Sequence, residues 1–127
     1  MKQDRTAREP AYRTVEQVDG CEILVGKAAV DNDMLTFRVA RPNDWWLHAA
    51  GHAGSHVVVR ALEGSDVPRH VLERAAELAA YHSKARETRG KIAVHLCRAG
   101  DVRKRPGAPA GQVELKRHET MKVYARE

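Results

Sequence analysis

The stretch that decides the fold is DWWLHAAGHAGSHVVVR, residues 44–60. It contains both tryptophans, three of the seven histidines and a glycine-bearing turn between two apolar runs. Trp45–Leu47 is predicted to end one strand, and His56–Arg60 is predicted to form a β-branched strand after a turn at Gly51–Gly54. The sequence therefore predicts a central hairpin with polar side chains gathered at its turn.

Composition indicates one domain with a basic surface. The chain has 127 residues, of which 43% are hydrophobic, and this is enough to fill a single core. Lysine and arginine number 22 against 17 acidic residues, so the formal net charge is +5, and the pI is about 9.5. A basic balance of this size favours a polyanionic partner such as nucleic acid.

Cysteine content and the N-terminus indicate a cytoplasmic protein. The two cysteines, Cys21 and Cys97, are far apart and form no CxxC pair, which argues against a disulfide framework or a zinc knuckle. Residues 1–10 lack the apolar segment of a signal peptide, and no apolar run approaches the ~20 residues of a membrane span. Residues 1–11 are predicted to form a flexible tail, and residues 12–127 a single domain.

The rest of the chain predicts an α+β fold of two layers, with a mostly antiparallel sheet and one long helix packed on it. The predicted helix begins after Pro68 and continues to about Glu87, because apolar residues recur there at helical spacing. The prolines and glycines of Val102–Gly111 predict an exposed loop. The other predicted strands are Tyr12–Glu16, Cys21–Val25, Met34–Ala40, Lys91–Cys97, Val113–Leu115 and Thr120–Tyr124.

Several residue patterns suggest chemistry but predict no enzyme, no metal and no cofactor. His48, His52 and His56 are four residues apart, yet the glycines between them make a helix improbable and no nearby ligand completes a zinc shell. Ser55 and His56 are adjacent in a strand, so their side chains point apart and cannot share a proton. A metal-dependent enzyme that uses His48 and His56 remains an open, weaker alternative.

Residues distributed along most of the chain match the pattern of a known family. They include Asp44, Trp46-Leu47-His48, Gly54-Ser55-His56-Val57-Val58-Val59-Arg60, Ala79-Ala80-Tyr81-His82-Ser83-Lys84-Ala85-Arg86 and Val102-Arg103-Lys104-Arg105-Pro106-Gly107-Ala108. This pattern resembles the NFACT RNA-binding domain (NFACT-R), the C-terminal module of RqcH/NEMF-type ribosome quality-control proteins, here as a stand-alone domain. The chain departs from the family pattern at Lys27, Ala28 and Ala53.

The resemblance implies an RNA-binding module for tRNA or rRNA, on the large ribosomal subunit and in quality control of stalled translation. Aromatic residues are too scarce for a base-stacking platform, so recognition of backbone shape and charge is expected. The hairpin, the end of the long helix and the basic loop are expected to form one positive surface. The alternative is a protein-interaction module that docks on a ribosomal or partner protein. The predicted RNA-binding residues are Trp46, His48, Ser55, His56, Arg60, Lys84, Arg86, Arg103, Lys104 and Arg105.

Overall fold

A computed structural model describes residues 9–64 and 66–127. The strands are β1 (Tyr12–Val18), β2 (Cys21–Gly26), β3 (Trp45–Ala49), β4 (Val57–Ala61), β5 (Ile92–Arg98), β6 (Val102–Arg103), β7 (Glu114–Leu115) and β8 (Glu119–Val123). The helical segments are α1 (Ala29–Met34), which continues as a π-helix (Leu35–Val39), α2 (Arg69–Tyr81) and a 3-10 turn (Ala99–Asp101). Within the described ranges, no helix is long and apolar enough to cross a membrane.

Six strands form one antiparallel sheet in the order β1-β2-β4-β3-β5-β8, and β6 pairs with β7 in a separate two-stranded ribbon. The tryptophan hairpin is at the centre of the six-stranded sheet, where Trp46 on β3 is opposite Val58 on β4. The predicted α+β class and the mostly antiparallel sheet are therefore confirmed.

The two faces of the sheet pack against different helices. Leu47 and Val57 point to one face, where α2 covers them with Val71, Ala75 and Leu78. On the opposite face Trp46 and Val58 pack with Leu35 and Val102. Alternation of side chains along each strand produces this division, so neighbouring residues of β3 belong to different cores.

The prediction of a strand at Met34–Ala40 and of a single long helix is wrong, because α1 and its π-helical continuation occupy this segment. Leu35 is fully buried whereas Phe37 is 41% exposed, so the two do not share a face. Leu35 and Val39 are four residues apart, a spacing that also fits a helix. Asp31 supports the start of the helix, since its Oδ2 accepts the N–H of Ala28 at 3.0 Å.

Helix α2 ends at Tyr81 and not near Glu87. Beyond it Ser83 donates its hydroxyl to the carbonyl of Ala80 at 2.7 Å and accepts the N–H of Ala85 at 3.1 Å, so the chain turns instead of continuing. The predicted loop also differs slightly, because its first two residues form β6.

The predicted flexible tail lies outside the described residues as far as Arg8. At its described end Pro10 is buried, and Ala11 donates its N–H to Asp31 Oδ1 at 2.9 Å. The carbonyl of Ala11 accepts the N–H of Lys27 at 3.1 Å. These contacts fix the entry into β1.

Candidate nucleic-acid interface

Three segments converge on a cleft of about 960 Å³. They are the hairpin turn, the residues that follow α2, and the second half of the Pro/Gly-rich loop. This cleft is lined by Arg13, Lys27, Ala29, Asn32, Trp46, His48, Gly51, His52, Ala53, Gly54, Ser55, His56, Tyr81, His82, Ser83, Lys84, Arg86, His95, Pro109, Ala110, Gly111, Gln112, Val113 and Leu115.

The hairpin turn and the end of α2 are joined by backbone hydrogen bonds. Ser55 donates its N–H to the carbonyl of His82 at 2.9 Å, and Lys84 donates its N–H to the carbonyl of Ala53 at 2.8 Å. Gly54 allows this approach, because a Cβ there would lie 2.7 Å from Ser83 Cβ and 2.9 Å from the His82 carbonyl oxygen. The contact places Lys84 and Arg86 beside the hairpin.

The Pro/Gly-rich loop is held by Asp33 of α1. Its Oδ1 accepts the N–H of Gly111 at 2.9 Å, and its Oδ2 is 3.0 Å from Lys104 Nζ. Lys104 also donates to the carbonyls of Pro109 at 2.6 Å and Gln112 at 2.9 Å. Lys104 therefore ties the loop together, and its ammonium group does not line the cleft.

A hydrogen-bonded chain under the cleft fixes the tautomer of His56. The Gly111 carbonyl, 3.1 Å from His56 Nε2, can only accept, so Nε2 carries the proton. In the neutral ring Nδ1 then accepts the hydroxyl proton of Thr36 at 2.7 Å. Thr36 Oγ1 in turn accepts the indole N–H of Trp46 at 3.0 Å. Burial, followed by the nearby His48, lowers the pKa of His56 to about 4.

Three of the predicted RNA-binding residues lie beneath the surface. Trp46, Ser55 and His56 are 1%, 3% and 1% exposed. Ser55 donates its hydroxyl to the carbonyl of Gly26 at 2.6 Å, and the N–H of His56 reaches Asn32 Oδ1 at 3.1 Å. In this arrangement they support the wall and floor of the cleft.

Half-buried imidazoles form the floor. His48 on β3 is opposite His95 on β5, and its ring stacks on Trp46 with centroids 5.8 Å apart. Burial, followed by the neighbouring His95, lowers the pKa of His48. Burial, followed by His118, likewise lowers the pKa of His95. Both rings are therefore neutral at physiological pH.

The electrostatics of the cleft are one-sided. Arg13, Lys27, Lys84 and Arg86 are exposed, and no described residue of the lining is aspartate or glutamate. Glu87, whose Oε2 is 3.8 Å from Arg86 Nε, lies outside the lining. Arg86 is 4.7 Å above the ring of Tyr81, which orients its guanidinium group. A surface with this charge and these donors suits a phosphate-bearing ligand.

The remaining predicted residues lie outside the cleft lining. Arg60 donates to the Val39 carbonyl at 2.8 Å and is 3.4 Å from Asp44 Oδ2. Arg105 pairs with Glu114, and Arg103 is exposed on β6. Of the predicted set, the cleft thus joins Trp46, His48, Ser55, His56, Lys84 and Arg86.

Sequence reasoning missed several lining residues, chiefly Arg13, Lys27, His82 and His95. Arg13 and Lys27 are brought near the hairpin by pairing of β1 with β2 and of β2 with β4. The alternation of its strand identifies His95 as a polar residue, but its position opposite His48 depends on the register of β3 and β5, which the sequence does not reveal. In the described parts of the chain, no group of three histidine, cysteine or acidic residues is placed to hold a metal ion.

Comparison with known proteins assigns the family. The model of the NFACT protein RNA binding domain matches residues 11–117. The Rqc2 homolog RqcH of Bacillus subtilis is 38% identical over 114 residues, which are 90% of this chain and 19% of that protein. The Rqc2 homolog RqcH of Streptococcus suis is 39% identical over 105 residues, 83% of this chain and 18% of that protein. The chain thus spans about a fifth of these relatives.

A solved structure shows the same fold. The C-terminal part of the fibronectin/fibrinogen-binding protein from Streptococcus suis superposes with a TM-score of 0.83 at 36% identity, covering 94% of this chain and 47% of that one. Together with the match over residues 11–117, this likeness shows that the chain belongs to the NFACT RNA-binding domain family.

Proposed function

We propose that this domain binds RNA in the cleft, and that its ligand is tRNA or rRNA on a large ribosomal subunit that carries a stalled chain. The observation that carries the proposal is the charge of the cleft, where four exposed cations surround a lining in which no described residue is acidic. The names of the RqcH relatives and the family support the link to ribosome quality control.

In this proposal the basic side chains bind phosphates. Lys84 and Arg86 lie on one side of the cleft, and Arg13 and Lys27 come from the β1–β2 side. Each neutralised phosphate releases counterions, so affinity falls as salt rises. Arg103 and Arg105 serve as outlying contacts, and Arg105 contributes less because Glu114 already neutralises it.

We propose that the domain acts by binding and not by catalysis. The Ser55 hydroxyl is committed to the Gly26 carbonyl, and both ring nitrogens of His56 have partners in Thr36 and Gly111. A nucleophile and its base must be hydrogen-bonded to each other, whereas Ser55 and His56 are each hydrogen-bonded to other groups. The backbone N–H of His56 is bound by Asn32 and its Nδ1 by the Thr36 hydroxyl, so the polar groups of His56 serve the fold.

The test is equilibrium binding of tRNA and of ribosomal RNA fragments at several salt concentrations. Replacement of Lys27, Lys84 and Arg86 by alanine removes three exposed cations of the cleft. The expected result is a loss of roughly tenfold or more in affinity, with a salt slope reduced by about 1 for each lost contact. Sedimentation of a cytoplasmic extract then shows whether the same variant no longer co-migrates with the large ribosomal subunit.

A matched control separates the cleft from general charge. Replacement of Arg38, Arg69 and Lys116 by alanine removes the same number of exposed cations outside the cleft lining. This control is expected to keep most of the affinity. Equal losses in the two variants would contradict a binding site in the cleft.

One observation favours a second candidate, a protein-interaction module. β1 is at the edge of the six-stranded sheet, and its Val15 is 45% exposed, while Tyr124 beyond β8 is 53% exposed. An exposed edge can accept a strand from a partner. Capture of a ribosomal protein that survives ribonuclease treatment and is lost on Val15→Lys supports this candidate, whereas capture that ribonuclease abolishes supports RNA.

A further inference from the structure

The floor and the rim of the cleft differ in chemistry. At the rim, Lys27, Lys84 and Arg86 are exposed cations. At the floor, His48 and His95 are half-buried and opposite each other on β3 and β5. The ring of Trp46 supports His48 from below, with an interplanar angle of 23°. A ligand that enters the cleft therefore meets charge first and flat, uncharged rings last.

Neutral imidazoles suit a nucleobase better than a phosphate. Burial lowers the pKa of both His48 and His95, which keeps the rings uncharged at neutral pH. An uncharged imidazole has one N–H donor and one nitrogen acceptor. The backbone of Gly54 already bonds the ring of His48, so His48 offers a base its remaining ring nitrogen. The edges of nucleobases present the same mixture of donors and acceptors, while phosphate oxygens only accept.

The size of the cleft also indicates what enters it. Its volume of about 960 Å³ falls within the roughly 300–1,000 Å³ of sites that enclose a small molecule. A duplex keeps its bases stacked inside and presents backbone to a protein. An unpaired nucleotide can turn its base away from the strand, and only such a base reaches His48 and His95 at the floor.

Building on the proposed RNA function, we propose that the cleft binds an unpaired nucleotide of RNA, with its base against His48 and His95 and its flanking phosphates on Lys27 and Lys84. This refines the expectation of recognition by backbone shape and charge alone. That expectation counted phenylalanine, tyrosine and tryptophan as base platforms, whereas histidine rings stack on bases as well. The rim then supplies affinity and the floor selects single-stranded RNA.

The experiment compares three labelled RNAs that share one strand of about 12 nucleotides, a length in the range that single-strand sites cover. They are the single strand, its blunt duplex, and the duplex with a single-stranded 3′ extension. The expected result is that the single strand and the extended duplex bind about tenfold more tightly than the blunt duplex, as the loss of one stacked base predicts. Equal affinity for the three would overturn the proposal.

Variants of the floor locate the preference. His48→Ala and His95→Ala are each expected to remove the preference for unpaired RNA, measured as the ratio of the affinities for the single strand and for the blunt duplex. His70→Ala is the matched control, because His70 is an exposed histidine that contacts Asp19 outside the cleft lining. A preference that persists in both floor variants would overturn the assignment.

A second measurement does not depend on the folding of any variant. The imidazole resonances of His48 and His95 are expected to shift when the single strand is added to the unmodified protein, and to stay in place with the blunt duplex. Rim variants separate the two proposals. If Lys27→Ala and Lys84→Ala weaken all three RNAs equally while the floor resonances do not move, RNA binding stands and the nucleotide site fails.

Discussion

His56 donates its Nε2 proton to the carbonyl oxygen of Gly111 at 3.1 Å, which joins the central hairpin to a loop 55 residues later in the chain. Gly111 is also held from its other side, where Asp33 accepts its N–H at 2.9 Å. One wall of the cleft therefore depends on the imidazole of His56 and the carboxylate of Asp33, which hold Gly111 from its two sides. Both dependences are open to measurement.

Acid is expected to destabilise the protein through His56. Its pKa is about 4 in the folded protein against an ordinary value of 6.5, so the unfolded chain binds the proton first as the pH falls. The stability from this group is complete above pH 6.5 and is lost as the pH falls to about 4. That loss is about 3 kcal/mol. Urea unfolding at about pH 7.5 and at about pH 5, above the range in which most carboxylates protonate, measures the larger part of this loss. His48, His82 and His95, whose pKa values are also lowered, add to the decline, so the share of His56 is the difference between the wild type and His56→Gln. His56→Gln should flatten the decline, and an unchanged decline in that variant would contradict the assignment.

Removal of the Asp33 carboxylate is expected to loosen the loop. Asp33→Ala leaves the N–H of Gly111 without its acceptor and removes the carboxylate from Lys104, which keeps its bonds to the carbonyls of Pro109 and Gln112. The expected cost is about 1–3 kcal/mol, together with faster hydrogen exchange at the Gly111 amide. Asp33→Asn is the control, because its carbonyl oxygen can still accept the Gly111 N–H. If exchange at Gly111 stays slow in Asp33→Ala, the carboxylate does not hold this wall.

A methyl group at Gly54 is expected to separate the hairpin turn from the end of α2. A Cβ there meets Ser83 Cβ at 2.7 Å and the His82 carbonyl oxygen at 2.9 Å, and backbone cannot yield as a flexible side chain does. Gly54→Ala should therefore cost about 1–3 kcal/mol in unfolding free energy and lower the affinity for RNA. Thermal unfolding and RNA titration of the same sample check both effects. Wild-type values for both would show that the contact is looser than the geometry indicates.

Position relative to the cleft is expected to rank the basic residues. Lys84→Ala with Arg86→Ala should reduce RNA affinity by roughly tenfold, because both side chains are exposed in the lining. Arg103→Ala with Arg105→Ala should have a smaller effect, since neither lines the cleft and Arg105 is paired with Glu114. Filter binding at one low and one high salt concentration gives the ranking. The reverse order would move the interface to the β6–β7 ribbon.

Local patterns predicted the central hairpin and the core of α2 well. Trp45–Leu47 and His56–Arg60 carry apolar, β-branched runs around a glycine turn, and the observed β3 and β4 begin within one residue of both. α1 was missed because Leu35 and Val39 satisfy a strand and a helix equally. The turn after Tyr81 depends on Ser83 and on contact with Gly54, which no local pattern records.

The candidate site was predictable in its parts and not in its assembly. The hairpin turn, the end of α2 and the Pro/Gly loop were expected to meet, and the three do line one cleft. The role of Lys104 was not predictable, because its bond to Asp33 spans 71 residues. Arg13 and Lys27 escaped notice for the same reason, since strand order decides which distant cations become neighbours.

Because side chains along β3 alternate between the two faces of the sheet, ligand binding requires the native register of this strand. Leu47 belongs to the core beneath α2, and Trp46 belongs to the core on the other side. A slip of one residue would exchange the two sets, so that His48 would enter the apolar layer and an aliphatic side chain would face the ligand. A molecule with the wrong register would lose both its core packing and its ability to bind RNA. The active fraction measured in a binding titration therefore equals the fraction of molecules in which β3 has its native register.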